Sequence, residues 1–246
     1  RVETSTKGVR ITAAEGAIAL GPARPQAVAG GGDGKPQHWC PASVEVRDDR
    51  LVAPGGPSGA CIELVVRILA DGAAEIRGRL RNDGSQPLRI ERLILLATDQ
   101  LRIGADARNW RIYRNGYQSW AGTHTLGVTE VDRDFTWRVA RVATTDARHR
   151  APNAPGHVRS AALTAICEPV SNAALALGFT TLADAFVYVE VESAAVAARV
   201  DVEGHGFAGL QAAAALEGGS LTAVPINENA SVAVTLALPG LSKAVQ

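Results

Sequence analysis

The run NWRIYRNGYQSWAGT, residues 109 to 123, gathers Trp110, Tyr113, Tyr117 and Trp120 around Arg114, Asn115 and Gln118. The whole chain has 4 Trp, 3 Tyr and 4 Phe in 246 residues, so this concentration stands well above its background. Rings beside amides and guanidinium groups suit a small-ligand surface, with apolar contact from the rings and oriented hydrogen bonds from the polar groups. The same rings are good sheet formers and core fillers. Trp110, Ile112 and Arg114 alternate with Arg111 and Tyr113 as a strand would, and Asn115-Gly116 breaks that strand. The spacing predicts core rings before the break and places Tyr117 and Trp120 beyond it, where an amphipathic ring can face a cleft. Residue chemistry alone leaves site and core both open.

A second constellation is TEVDRDFTW, with Glu130, Asp132 and Asp134 at alternate positions. On a strand they would share a face, which is what paired carboxylates need for acid and base work such as glycoside hydrolysis. They equally describe the wet face of a strand, and that is the reading taken, because neighbouring like charges are accommodated more cheaply in water than in a cleft. Other motifs carry less. GHGFAG fits the dinucleotide fingerprint at Gly204, Gly206 and Gly209, but its surroundings alternate as antiparallel strands rather than as a parallel βαβ unit. AGGGDGKP has Ala29 and Pro36 where a phosphate loop needs glycine and a hydroxyl residue. His38, Cys40 and Cys61 lack zinc-site spacing, so no metal or cofactor is expected.

The elements that must position these residues are strands. Period-two alternation closed by glycine, asparagine or aspartate recurs at residues 43–47, 61–70, 74–82, 87–97, 134–142, 160–168, 185–192, 196–203 and 231–238. Asp71-Gly72 reads as a two-residue hairpin turn, and Asn82 to Ser85 closes the next connection. Glu75, Arg77, Arg79 and Arg81 fall on one face of their strand and Ile76 and Leu80 on the other, the signature of a sheet wet on one side. The fold class expected is therefore all-β, a large antiparallel two-sheet sandwich with little helix, spanning residues 1–246 as one domain. Residues 21–37 and 143–157, rich in glycine and proline, read as exposed loops.

Composition narrows the partners. Formal net charge is zero, with 25 basic and 25 acidic residues, and no basic run long enough to suggest nucleic acid or a membrane surface. No segment approaches the roughly 20 apolar residues of a membrane span. Three widely spaced cysteines are unlike a disulfide framework and point to a reducing, cytoplasmic compartment. The absence of methionine suggests that Arg1 is not the translated start and that the chain is a fragment of a longer protein.

YRNGYQSWAGT resembles a run in the amino-terminal domain of α-galactosidase-like glycoside hydrolases of family 36. LRNDGSQPLRIERLILL, NAALALGFTTLADAFVYVEVE and LEGGSLTAVPINENASVAVTLALPG are similar to further segments of that domain, so the resemblance covers most of residues 75 to 240. It implies a galactose mutarotase-like β-supersandwich placed ahead of a catalytic (β/α)₈ barrel. The family's nucleophile and acid/base aspartates lie in barrel motifs of the K-Y-D and R-x-D-N kinds, which this chain lacks, so no catalytic residue is assigned to it. The resemblance further implies that Trp120 walls the sugar pocket, with Tyr117, Gln118, Asn115 and Arg114 as substrate-binding neighbours. The partners it implies are the barrel of the same polypeptide, a terminal α-galactoside and a possible homo-oligomer. A stand-alone carbohydrate-binding sandwich and a purely structural or oligomerising domain are the alternatives.

Overall fold

A computed structural model describes residues 1–13, 16–30, 35–48, 50–70, 73–84, 90–116, 122–133, 152–179, 186–192, 195–201 and 230–237, the backbone alone at 186–187, 195–201 and 230–237. The alternating segments pair antiparallel throughout. One nine-stranded sheet has the order β1 (Val2–Ser5), β2 (Gly8–Ala13), β3 (Ile18–Gly30), β9 (Ile90–Thr98), β17 (Ala195–Asp201), β16 (Phe186–Glu192), β13 (His157–Ala161), with β4 (Pro36–Trp39) and β10 (Leu101–Ile103) also on β3. The second runs β12 (His124–Gly127), β11 (Arg111–Arg114), β14 (Leu163–Glu168), β15 (Ala173–Phe179), β18 (Ala230–Ala237), β8 (Ala74–Asn82), β7 (Ala60–Ile68), β6 (Arg50–Ala53), β5 (Glu45–Arg47). The chain is all-β, as its alternation predicts, and its described helical content is confined to short 3₁₀ turns such as those at Pro57–Gly59 and Ala107–Asn109. No helix among the described residues is long and apolar enough to cross a membrane.

The core lies between the sheets. Ile62, Leu64, Ile76 and Leu80 of the second sheet face Leu93 and Leu95 of the first, all fully buried. Gly78 lies on this inward face between Ile76 and Leu80, and a Cβ there would overlap Leu95 Cδ2. The missing side chain thus lets a leucine from the opposite sheet seat against β8, close packing that a core of this density requires. Trp110 is buried and its indole N–H donates to the Ile103 carbonyl at 2.7 Å, satisfying the one polar atom of a core ring.

Three expectations are corrected. Of the loop expected at 21–37, residues 21–30 complete the long strand β3 and residues 36–37 open β4, while residues 31–34 lie outside the described residues. Their buried positions are mostly small residues, so composition hid the alternation, and the prolines sit where the ladder makes no demand on them. Pro22 and Pro25 fall within the register shifts of β3 against β2 and against β9, where the missing N–H is tolerated. Strands β7 and β8 pair as a hairpin whose last described bond runs from Leu69 N–H to Ala73 C=O at 2.8 Å; Asp71 and Gly72, expected to make its turn, lie outside the described residues. The turn after Asn82 does not join paired strands, because β8 and β9 lie in different sheets. Residues 160–168 are likewise two strands in two sheets, divided at Ala162, whose φ of 61° turns the chain out of extended geometry. The expected strand at 134–142, most of the loop at 143–157 and the glycine fingerprint at 204–209 lie outside the described residues.

Candidate functional site

The aromatic run begins where the sheets are stitched together. On β11, Ile112 and Arg114 point inward and Arg111 and Tyr113 outward. The parity that places Trp110 and Ile112 in the core therefore also sends a guanidinium inside. Arg114 is paired across β11 with Thr164 of β14 and with His124 of β12. Its Nε stands 3.1 Å from Asp132 Oδ1, an ion pair of side chains 4% and 0% exposed, though not an aligned hydrogen bond at that contact. His124 Nε2 is 3.8 Å from the same oxygen and, 37% exposed, forms the solvent side of the group.

Asp132 thereby corrects the solvent-face reading: it is fully buried, whereas Glu130 is exposed and accepts the Gly127 N–H at 2.5 Å, and Asp134 lies outside the described residues. Residues 130–132 are not a regular strand. They bridge to residues 153–156 through the Val131–Pro155 contact and the bond from Asn153 N–H to the Asp132 carbonyl at 3.1 Å. Alternate positions therefore do not share a face here, and a buried arginine supplies the counter-charge that makes burial of Asp132 feasible.

Around this pair a collar of hydrogen bonds ties residues 114–116 to residues 122–123 and to β13. Arg114 Nη1 donates to the Gly122 carbonyl at 2.5 Å, and the Gly116 N–H donates to Thr123 Oγ1 at 3.0 Å. Asn115 bonds three ways to β13: its N–H to Ser160 Oγ at 2.7 Å, its Nδ2 to the Ala161 carbonyl at 2.8 Å, and its carbonyl accepting the Ala161 N–H at 2.9 Å. The Ser160 hydroxyl donates a hydrogen bond to the Leu163 carbonyl, and Thr164 Oγ1 donates to the Tyr113 carbonyl at 2.6 Å. Strand β13 is the edge of the first sheet, and its amides at His157, Arg159 and Ala161 are taken by the Ala154 carbonyl, by Asp132 Oδ2 and by the Asn115 carbonyl. An open edge is thus sealed by Asn115, at the end of β11, and by the irregular residues 132 and 154.

Of the residues the sequence singled out, Arg114 and Asn115 are brought together here, the first bonded to Gly122 and the second to Ser160 and Ala161. Tyr117, Gln118 and Trp120 lie outside the described residues. Asp132, Ser160, Thr164 and Gly122 are collar members the sequence reading did not assign. Ser160 had a visible signal, a hydroxyl at an inward position beside Val158, whereas Gly122 contributes only a carbonyl and had none.

A second polar group occupies the outward side of β13 and β16. Glu190 Oε1 accepts from His157 Nε2 at 2.8 Å and from Arg159 Nη2 at 2.9 Å, and the Arg159 guanidinium stacks 5.3 Å from the Tyr188 ring centroid. It is a cross-strand pair, with Arg159 directly opposite Glu190, reinforced by a cation–π contact. Among the described residues no three of His, Cys, Asp and Glu are grouped to hold a metal ion. Cys61 is buried beside Asp83, and burial pushes its thiol up, which disfavours the reactive thiolate. Compared with known proteins, the chain matches no family model and no curated sequence.

Proposed function

We propose that this chain is the amino-terminal sandwich of an α-galactosidase-like glycoside hydrolase, in which the segment 117–121 completes a sugar pocket on a catalytic (β/α)₈ barrel of the same polypeptide. The observation that carries the reading is the collar: the stretch holding Tyr117, Gln118 and Trp120 is flanked by Gly116 and Gly122, bonded to Thr123 and Arg114, with Asn115 tied to β13 and Arg114 held in a buried ion pair. Ligand residues on loops need such a rigid footing, because misplacement of a contact group erodes affinity and rate. A tryptophan ring at that position suits the apolar face of a galactose-like sugar, and Gln118 suits its hydroxyls. Within this reading Asn115 and Arg114 act by positioning the segment.

The test uses the full-length protein and an α-galactoside substrate. Trp120→Ala is expected to lower kcat/KM at least tenfold with no change in Tm, whereas an unchanged rate removes Trp120 from the pocket. Saturable galactoside binding by the 246-residue chain on its own would favour the stand-alone carbohydrate-binding module instead.

A further inference from the structure

The outer face of the second sheet changes character along its width. On β7 and β8 the outward positions are Cys61, Glu63, Val65, Arg67, Glu75, Arg77, Arg79 and Arg81, joined by Arg50 of β6. The acids lie at the floor and the cations above them: the Glu63 side chain is 8% exposed, against 52% for Arg50 and 38% for Arg81. Val52 and Cys61, buried on the same face, give this sheet surface apolar floor, and an arginine stem favours such surface while its head favours water.

The acids on this face are already committed. Glu75 takes both prongs of Arg77 at 2.9 and 3.0 Å. Asp83 takes Arg81 at 2.6 and 2.7 Å, and Glu63 takes Arg81 at 2.5 Å and Arg50 at 3.6 Å. Arg79, at the centre and directly opposite Glu63, has no acceptor among the described residues, and its Nε is buried without a partner. The Arg79 side chain as a whole is part-exposed, so its guanidinium can meet a carboxylate arriving from outside through charge-assisted bonds.

We propose that the outer face of β7 and β8 docks an extended acidic segment of a protein partner, with Arg79 as its central contact. Arg77, Arg79 and Arg81 repeat every second residue, about 6.6 to 6.8 Å apart along a strand. An extended segment with acids at alternate positions presents carboxylates on the same period. The face offers no aromatic ring on which nucleic-acid bases could stack, so a polypeptide suits it better than a single strand of nucleic acid.

The experiment titrates the full chain with a labelled peptide of alternating glutamate and threonine, and in parallel with a heparin oligosaccharide and single-stranded DNA. Saturable, salt-sensitive peptide binding is expected, reduced at least tenfold by Arg79→Gln with Tm unchanged and left intact by Arg10→Gln on the other sheet. Three results would overturn the proposal: no peptide binding, equal loss in both variants, or tighter binding of heparin or DNA than of the peptide. If Arg79→Gln lowers Tm, Arg67→Gln, at an exposed position on the rim of the same face, is expected to weaken peptide binding without destabilising the chain, and unchanged binding there would equally count against docking.

Discussion

Arg114 and Arg79 belong to the same sheet and each has carboxylates nearby, yet their surroundings are opposites. Arg114 shares its parity with Trp110 and Ile112, so its head enters the sandwich and meets a single fully buried acid, Asp132. Arg79 has the opposite parity to Ile76 and Leu80, so it stands on the outer face among cations and acids already paired elsewhere. The comparison teaches that side-chain parity on the strand, more than residue type, decides whether an arginine acts as an internal strut or as a surface donor. An internal strut is expensive to break, because loss of one partner strands a charge away from water, whereas an exposed pair trades protein contacts for hydration at little net cost.

The largest effect should come from breaking the strut. Asp132→Ala is expected to destabilise the chain by about 3–5 kcal/mol in denaturant unfolding, because Arg114 keeps its charge in a dry site. Replacing both partners with apolar residues, Arg114→Met with Asp132→Leu, should recover most of that loss. If the single and double variants are equally destabilised, the pair is not the strut described.

An intermediate effect sharpens the contrast with a buried acid that has no arginine. Glu168, on the inward face of β14, accepts the Val170 and Ser171 amides at 3.1 and 2.9 Å. Hydrogen bonding from the Ser171 hydroxyl, followed by those amides, outweighs burial and holds its carboxyl below the usual range. The stabilisation it contributes is therefore present above the unfolded pKa of about 4.3 and is lost as pH falls through the lower folded value. Unfolding midpoints recorded from pH 6 down to pH 2 should fall in the acid range, and Glu168→Gln should flatten that part of the curve; superimposable curves would refute the role.

The smallest effect belongs to the outer face. Arg50→Ala removes a guanidinium 3.6 Å from Glu63 and half exposed, so the change in unfolding free energy should stay under about 1 kcal/mol. A loss as large as that of Asp132→Ala would erase the distinction between the two regions.

Much of the fold was legible because alternation is local. Residues 74–82 read as a strand with Ile76 and Leu80 inside, and the structure places β8 over those residues with both fully buried. The core assignment of Trp110 and Ile112 was readable by the same parity. Strand β3 was not, because Gly21, Ala23, Pro25 and Ala27 bury small surfaces that composition reports as loop. Asp132 was not either, since a carboxylate one residue from Arg133 looks the same in sequence whether it faces water or a buried guanidinium.

For strands with a clear two-residue period, such as β8, the sequence by itself determined that the residues are extended and which face is apolar, because both follow from a few positions of chain. Only the tertiary structure decided that β8 and β9 fall in different sheets, that Ala162 divides one alternating run between two sheets, and that Arg114 and Asp132 meet as a buried pair. Those outcomes depend on pairing between residues far apart in the chain, where backbone hydrogen bonds and buried charge are satisfied by partners that no local pattern names.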